Sequence, residues 1–219
     1  MNKGTGKLTI ALPKGRIMDE ALNVFKAAGI DAASALKADD RRLIFDGPGN
    51  LRFMVVRGQD VPTYVEYGAA DLGIAGKDVL VEQNKDLYEP LDLNIGKCRM
   101  VVAEPEKVKK TDNPSHWTRV KVATKYPNIT SAYFLSKGIQ VEMIKLYGSI
   151  ELAPLLGLSE RIVDLVQSGR TLKENGLAEV ETIMEVSSRL VANRASLKTR
   201  PEEIKTLIER LSKAVKKLR

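Results

Sequence analysis

The feature that most constrains the fold is the recurrence of short apolar runs of strand length. Residues 8–12, 53–56, 72–75, 100–103, 120–123, 162–166 and 183–186 each read as a buried strand. Between many of them the apolar residues change to helical spacing. Ile17, Ala21, Val24 and Ala28 fall on one helical face, and Gly29 stands where such a helix stops. Strands alternating with helices imply an α/β fold around a largely parallel sheet. With 219 residues and 43% hydrophobic content, the chain can bury a core as one large domain or two small ones. It carries no internal repeat and no Gly/Ser linker, so any division is expected at strand crossings.

The remaining segments are more polar. Residues 104–117 contain Pro105 and Pro114 and read as a surface loop of a second unit. A terminal helix is expected to run to Arg219, with Thr199 and Glu202 as a capping box and Ile204, Leu207, Ile208, Leu211, Val215 and Leu218 on one face. The 35 basic and 28 acidic residues leave a net charge of +7, which suits anionic partners without choosing among them. Cys98 is the single cysteine, so no intrachain disulfide forms, and there is no Cys/His cluster to hold zinc. Any metal must bind through oxygens. The run at 8–12 is too short for a signal peptide, and no stretch approaches the roughly 20 apolar residues of a membrane helix. A cytoplasmic protein without membrane contact is the expectation. His116, beside Trp117, reads as a surface residue, and Cys98 as an ordinary buried small residue.

The chemistry concentrates in turns at strand ends. Asp164 precedes Ser168, Gly169, Arg170, Thr171 and Leu172, after a strand pattern and before a helical one over residues 173–180. A turn at a helix start offers unpaired N–H groups and partial positive charge to a phosphate. Ser168 and Thr171 add hydroxyls, Gly169 lets backbone approach the ligand, Arg170 supplies countercharge, and Asp164 is an acceptor for sugar hydroxyls. These residues describe a ribose-phosphate cradle. They equally describe a capped helix start with a strand-terminal aspartate, and spacing alone does not separate the two. Lys14, Gly15 and Arg16 come after the first strand, Arg57 to Asp60 after another, and Gly76, Lys77 and Asp78 after a third. Ligands bind at such strand ends in α/β sheets, and four glycine-and-charge turns suggest one shared cleft.

A resemblance adds to the residue-level reading. Glu151, Gly157, Ser159, Ile162, Asp164, Leu165, Ser168, Gly169, Thr171 and Leu172 stand at the spacings of the ATP phosphoribosyltransferase signature without a mismatch. The likeness extends through ALPKGR at 11–16, VVRGQDVP at 55–62, DLGIAGKD at 71–78, ATKYP at 123–127 and NRAS at 193–196. It implies two α/β lobes resembling type II periplasmic binding proteins, with the active site in the inter-lobe cleft. Lobe one would hold residues 1–94 and 184–219, and lobe two residues 95–183. The family's long form has a C-terminal regulatory domain that binds histidine. Here the resemblance is to the short form, which lacks that domain and works with a separate regulatory subunit resembling histidyl-tRNA synthetase, in a hetero-octamer.

The resemblance also implies an activity: ATP and phosphoribosyl pyrophosphate react to phosphoribosyl-ATP and pyrophosphate at the entry to histidine biosynthesis. Asp164, Ser168, Gly169, Arg170, Thr171 and Leu172 would hold phosphoribosyl pyrophosphate. Lys14, Gly15, Arg16, Arg42, Arg57, Gly76 and Lys77 would meet ATP, with Arg16 and Arg57 stabilising charge. Lys125, Tyr126, Gly148, Ser149 and Glu151 would support substrate positioning. Magnesium would be held mainly by substrate phosphates through hard oxygen donors. The segment 104–117, the residues before Lys7 and the turn at 47–50 match no motif of the family. Two rival readings are an anion-binding protein of the same fold and a nucleic-acid-binding module suggested by the net positive charge. The first lacks an export signal. The second lacks any recognition motif, and its C-terminal lysines interleave with a core-facing stripe.

Overall fold

The computed structural model describes residues 6–36 and 42–218, so the expectations placed on residues 1–5 and on Arg219 lie outside the described residues. The strands are β1 (Leu8–Pro13), β2 (Ile44–Asp46), β3 (Leu51–Val56), β4 (Leu72–Gly76), β5 (Tyr88–Asp92), β6 (Cys98–Pro105), β7 (Arg119–Thr124), β8 (Gln140–Lys145), β9 (Arg161–Val166), β10 (Leu177–Val186) and β11 (Ser188–Ala192). The helices are α1 (Arg16–Ala27), α2 (Ala32–Leu36), α3 (Val61–Glu66), α4 (Lys77–Gln83), α5 (Glu106–Lys109), α6 (Pro127–Ser136), α7 (Leu152–Leu155), α8 (Arg170–Glu174), α9 (Arg194–Thr199) and α10 (Pro201–Lys217). They form two compact units, residues 1–96 with 187–219 and residues 97–186, and the chain passes from one to the other twice.

The first unit is built on a six-stranded sheet in the order β2-β3-β1-β4-β11-β5. Its centre is apolar because β1 contributes Ile10, Ala11 and Leu12 with no exposed surface. One face carries Leu8, Ile10, Leu12, Phe53, Leu72 and Leu190, covered by α1 and α10. Helix α1 is explained by its sequence: Ala21, Val24 and Phe25 fall on the buried side, Asp19 and Lys26 suit the two ends of the helix dipole, and Gly29 takes the left-handed turn (φ 73°) that stops it. The Arg210 guanidinium donates to the carbonyls of Ala28 and Gly29, satisfying that helix end from α10. On the other face Gly73 lets α3 lie close on β4, since a Cβ there would sit 2.6 Å from Val61. Asp71 ties the unit together by accepting from the Thr9 N–H (2.9 Å) and the Ser196 hydroxyl (2.7 Å) beside buried Arg200.

The second unit has a five-stranded sheet in the order β10-β6-β9-β7-β8. One face packs Met100, Val102, Trp117, Val122, Phe134 and Val163, and the other packs Val101, Ala103, Ile162, Val166 and Leu172.

Several sequence expectations are corrected. Both sheets are mixed rather than largely parallel: β2 and β11 run antiparallel to their neighbours in the first, and β6 runs antiparallel to β9 and β10 in the second, while β2, β5, β8 and β11 fall outside the apolar runs. β2, β5 and β8 are half-exposed edge strands, and Ser188 and Arg189 break the apolar run of β11. The helical pattern over 173–180 yields a helix only to Glu174. Gly176 turns left-handed (φ 66°), and β10 then runs antiparallel to β6. Thr199 closes α9 by donating to the Ala195 carbonyl, α10 begins at Pro201 without a side-chain cap, and Leu218 is 57% exposed. Cys98 is half-buried rather than buried.

The segment 104–117 is not a simple surface loop, because its two ends are buried. Glu104 is 1% exposed, and the Arg161 guanidinium stacks 4.0 Å over Trp117 while reaching Asp112 (2.7 Å) and Glu104 (3.1 Å). The Trp117 indole N–H donates to the same Asp112 carboxylate (2.7 Å). Burial of Glu104, with Asp112 beside it, raises its carboxyl to about 7 despite Arg161.

These contacts set two expectations for folding stability. The Asn193 side chain caps α9 through the Ser196 N–H and donates to the Val65 and Glu66 carbonyls, so Asn193→Ala should cost about 2–4 kcal/mol in urea unfolding. Glu104 binds its proton more tightly folded than unfolded, so its contribution should be full below about pH 4.5 and be lost as pH rises through about 7. Glu104→Gln should flatten the fall in urea midpoint between about pH 5 and pH 8.

Candidate functional site

In the first unit the candidate residues are set out by strand pairing. β1 lies between β3 and β4 and runs parallel to both, so the C-terminal ends of all three emerge along one sheet edge. Pro13 and Val56 are the last registered pair of β1 and β3, and Lys14 and Arg57 come next on neighbouring strands. The Lys14 N–H donates to the Val56 carbonyl (2.8 Å), and Gly15 (φ 103°) turns the chain into α1, which begins at Arg16. Arg16 pairs with Glu20 at 3.6 Å. Because β2 is antiparallel to β3, its start lies beside the end of β3. The Val55 N–H donates to the Leu43 carbonyl (2.8 Å), bringing Arg42 to the same edge with its guanidinium 6.0 Å from the Phe45 ring centroid. Lys14, Arg16, Arg42 and Arg57 are all exposed and make a cationic row suited to phosphates. Gly76 ends β4 on the same edge and Lys77 begins α4, but the Lys77 ammonium is held by both carboxylate oxygens of Glu89 (2.9 Å each).

The second unit supplies a turn. β9 leads through Gln167 and Ser168 to Gly169 (φ 77°), which opens α8. Glu151 and residues 164–172 line a pocket of about 260 Å³. Within it the Arg170 N–H donates to the Ser168 hydroxyl (3.4 Å), and the Asp164 carboxylate accepts from the Leu165 N–H (2.8 Å). Burial holds the Asp164 carboxyl above the usual range, with Glu151 adding repulsion, while the Leu165 N–H and Lys125 oppose the rise. Lys125 is there by register: β7 and β9 are parallel with Thr124 opposite Val163, so the next pair is Lys125 beside Asp164. Leu172 is buried and anchors the turn, Thr171 is exposed, and Arg170 is paired with Glu174 (2.7 Å).

The pocket therefore gathers Glu151, Asp164, Ser168, Gly169, Arg170, Thr171 and Leu172, with Lys125 acting on it. Tyr126, expected at a strand end facing the cleft, is 6% exposed and packs in the core of the second unit, immediately before α6. Gly148 and Ser149 are exposed in the turn before α7 and do not line the pocket. A larger cavity of about 540 Å³ in the first unit opens beside Leu8, Asn50 and α10, and none of the candidate residues line it. Sequence reasoning missed Arg99 and Glu179, which touch the turn from β6 and β10. Arg99 flanks an apolar run and Glu179 lies in the stretch read as helix, so neither carried a motif signal. His116 is exposed, and no helix among the described residues is long and apolar enough to cross a membrane.

The family model described as ATP phosphoribosyltransferase (HisG) matches residues 57–213. The chain is 59% identical over 209 residues to the ATP phosphoribosyltransferase of Citrifermentans bemidjiense, covering 95% of this chain and 98% of that protein. It is 60% identical over 212 residues to ATP phosphoribosyltransferase 2 of Geobacter sulfurreducens, covering 96% and 100%. Among solved structures it matches a chain of the ATP phosphoribosyl transferase (HisG:HisZ) complex from Thermotoga maritima, with TM-score 0.80 and 35% identity over 95% of this chain and 98% of that one. It also matches the substrate binding protein of an amino acid ABC transporter, with TM-score 0.57 and 15% identity over 97% and 93%, a likeness of fold alone.

Gly169 combines a left-handed backbone with a crowded Cβ position 3.1 Å from Glu179. Gly169→Ala should lower stability by about 1–2 kcal/mol, read as a shift of the urea midpoint.

Proposed function

The chain belongs to the ATP phosphoribosyltransferase family, and from that membership we infer how its residues divide the reaction. It is a phosphoribosyltransferase that joins ATP to phosphoribosyl pyrophosphate in the first step of histidine biosynthesis. The adenine N1 attacks the anomeric carbon of the ribose, and the bond to pyrophosphate breaks with inversion. Both substrates are polyanions, so binding must overcome their repulsion, and catalysis is chiefly positioning and electrostatic stabilisation.

In this reading phosphoribosyl pyrophosphate sits in the turn of the second unit. Its 5-phosphate meets the N–H groups of Gly169, Arg170 and Thr171 with the hydroxyls of Ser168 and Thr171, and Leu172 fixes the turn from below. Asp164 accepts from the ribose hydroxyls; burial raises its carboxyl above the usual range, and Lys125 opposes part of that rise. Glu151 borders the same pocket. The single observation that carries the assignment is this pocket, in which the signature residues converge around one left-handed glycine. ATP phosphates are assigned to the cationic row of Lys14, Arg16, Arg42 and Arg57, with Gly15 giving close backbone approach. Arg16 and Arg57 stabilise the charge that develops on the leaving pyrophosphate. Lys77 belongs to this set only when its pair with Glu89 opens.

Asp164 and Glu151 are hard oxygen donors, and no group of three or more metal-binding side chains gathers among the described residues. Those two carboxylates would suit magnesium as an ion shared with substrate phosphates. When bound it neutralises pyrophosphate charge. The Thermotoga maritima protein is described as a HisG:HisZ complex, and we assign this chain a regulatory partner of the same kind.

Pyrophosphate release should require ATP and phosphoribosyl pyrophosphate together. In that assay Arg57→Ala should lower kcat/KM by about 100-fold or more, the cost of losing one stabilising donor to developing charge. Full turnover by Arg57→Ala would remove it from the charge-stabilising set. ATP binding without any pyrophosphate release would favour an anion-binding protein instead.

A further inference from the structure

We propose that Arg99 and Glu179 form a charge-balanced brace beneath the ribose-phosphate turn, and that Arg99 is a positioning residue for phosphoribosyl pyrophosphate. The proposal rests on the assignment of that substrate to the turn.

Arg99 lies near the start of β6, directly opposite Val166 of β9. Opposed residues of an antiparallel pair share a sheet face, so Arg99 occupies the face on which Val166 and Leu172 pack. Its guanidinium grips Glu179 bidentately, Nε to Oε2 at 2.9 Å and Nη2 to Oε1 at 2.5 Å. The remaining nitrogen, Nη1, donates to the Gln167 carbonyl at 3.4 Å, immediately before Ser168. One side chain thus joins β6, β10 and the entrance of the turn.

Glu179 is delivered to this place by an irregularity in β10. The register steps from Glu179 opposite Ala103 to Glu181 opposite Val102, leaving Val180 unpaired, and such bulges re-aim the side chains beside them. The Glu179 carbonyl is fixed by the Lys109 ammonium (2.7 Å), and its carboxylate comes to 3.1 Å from where a Cβ on Gly169 would stand. A carboxylate therefore presses against the backbone that receives an anionic phosphate. Without a counterion it would repel that phosphate. Arg99 cancels the charge and, by holding Gln167, sets the approach of the Ser168 and Gly169 backbone. Both side chains are about one-third exposed, so screening by water is incomplete. Glu185, the cross-strand neighbour of Arg99 on β10, is exposed to solvent.

The test is steady-state kinetics with each substrate varied in turn for Arg99→Gln, Glu179→Gln, the double variant and Thr171→Val. Arg99→Gln should raise the KM for phosphoribosyl pyrophosphate about tenfold or more, the loss expected when a partly buried charge is left without its partner. The KM for ATP should stay as in the unaltered enzyme. Glu179→Gln, which leaves a cation beneath the turn, should not weaken phosphoribosyl pyrophosphate, and the double variant should recover most of what Arg99→Gln loses. A change confined to the KM for phosphoribosyl pyrophosphate, with the KM for ATP unmoved, is an outcome that a merely structural role does not give. Thr171→Val tests the turn itself and should raise the same KM. The brace is overturned if Thr171→Val raises that KM while Arg99→Gln leaves it unchanged, or if the double variant is no better than Arg99→Gln alone. If Thr171→Val leaves it unchanged, the assignment of substrate to the turn fails first and takes the brace with it. Should Arg99→Gln fail to fold, Glu179→Gln decides: a raised KM for phosphoribosyl pyrophosphate would overturn the proposal.

Discussion

Parallel pairing of neighbouring strands is the constraint on which both units depend. Parallel strands deliver their C-terminal ends to one edge, so turns distant in sequence become neighbours. In the first unit this brings Lys14 beside Arg57, with Gly76 one strand further along. In the second it sets Lys125 next to Asp164. The backbone ladder and the buried aliphatic side chains behind it hold these positions.

Charge balance then sorts the cations. Lys77, Arg99, Arg161, Arg170 and Arg200 all stand against carboxylates within their own unit. Their first effect is structural: Arg161 ties the segment 104–117 to β9, and Arg200 joins α10 to Asp71. Lys14, Arg16, Arg42 and Arg57 lie exposed along a single sheet edge, Arg16 with an ion pair to Glu20.

In the second unit the signature from Asp164 to Leu172 was legible in the sequence as a strand, a glycine turn and a helix start, and these elements are present. The next strand was legible only at its end, residues 183–186, while its start was read as helix. Residues 177–186 carry a mixed pattern because β10 is an edge strand whose register shifts twice, and its half-exposed residues blur the two-residue alternation that marks a strand. The same blurring hid β2, β5 and β8. Polar composition also misplaced residues 104–117. Glu104 is buried and Asp112 half-buried by pairing with Arg161, a partner more than 40 residues away from either.

By itself the sequence determined the alternation of strands and helices, the positions of the glycine turns and the family to which the chain belongs. Each is encoded locally, by apolar spacing, by residues that permit a left-handed backbone, or by a dense run of specific side chains. Only the tertiary structure decided which strands run antiparallel, that Tyr126 faces a core, that Arg42 reaches the edge beside Arg57, and that Arg99 and Glu179 lie against the turn at Gly169. Those outcomes depend on register and side-chain direction between segments far apart in the chain, and no local pattern carries that information.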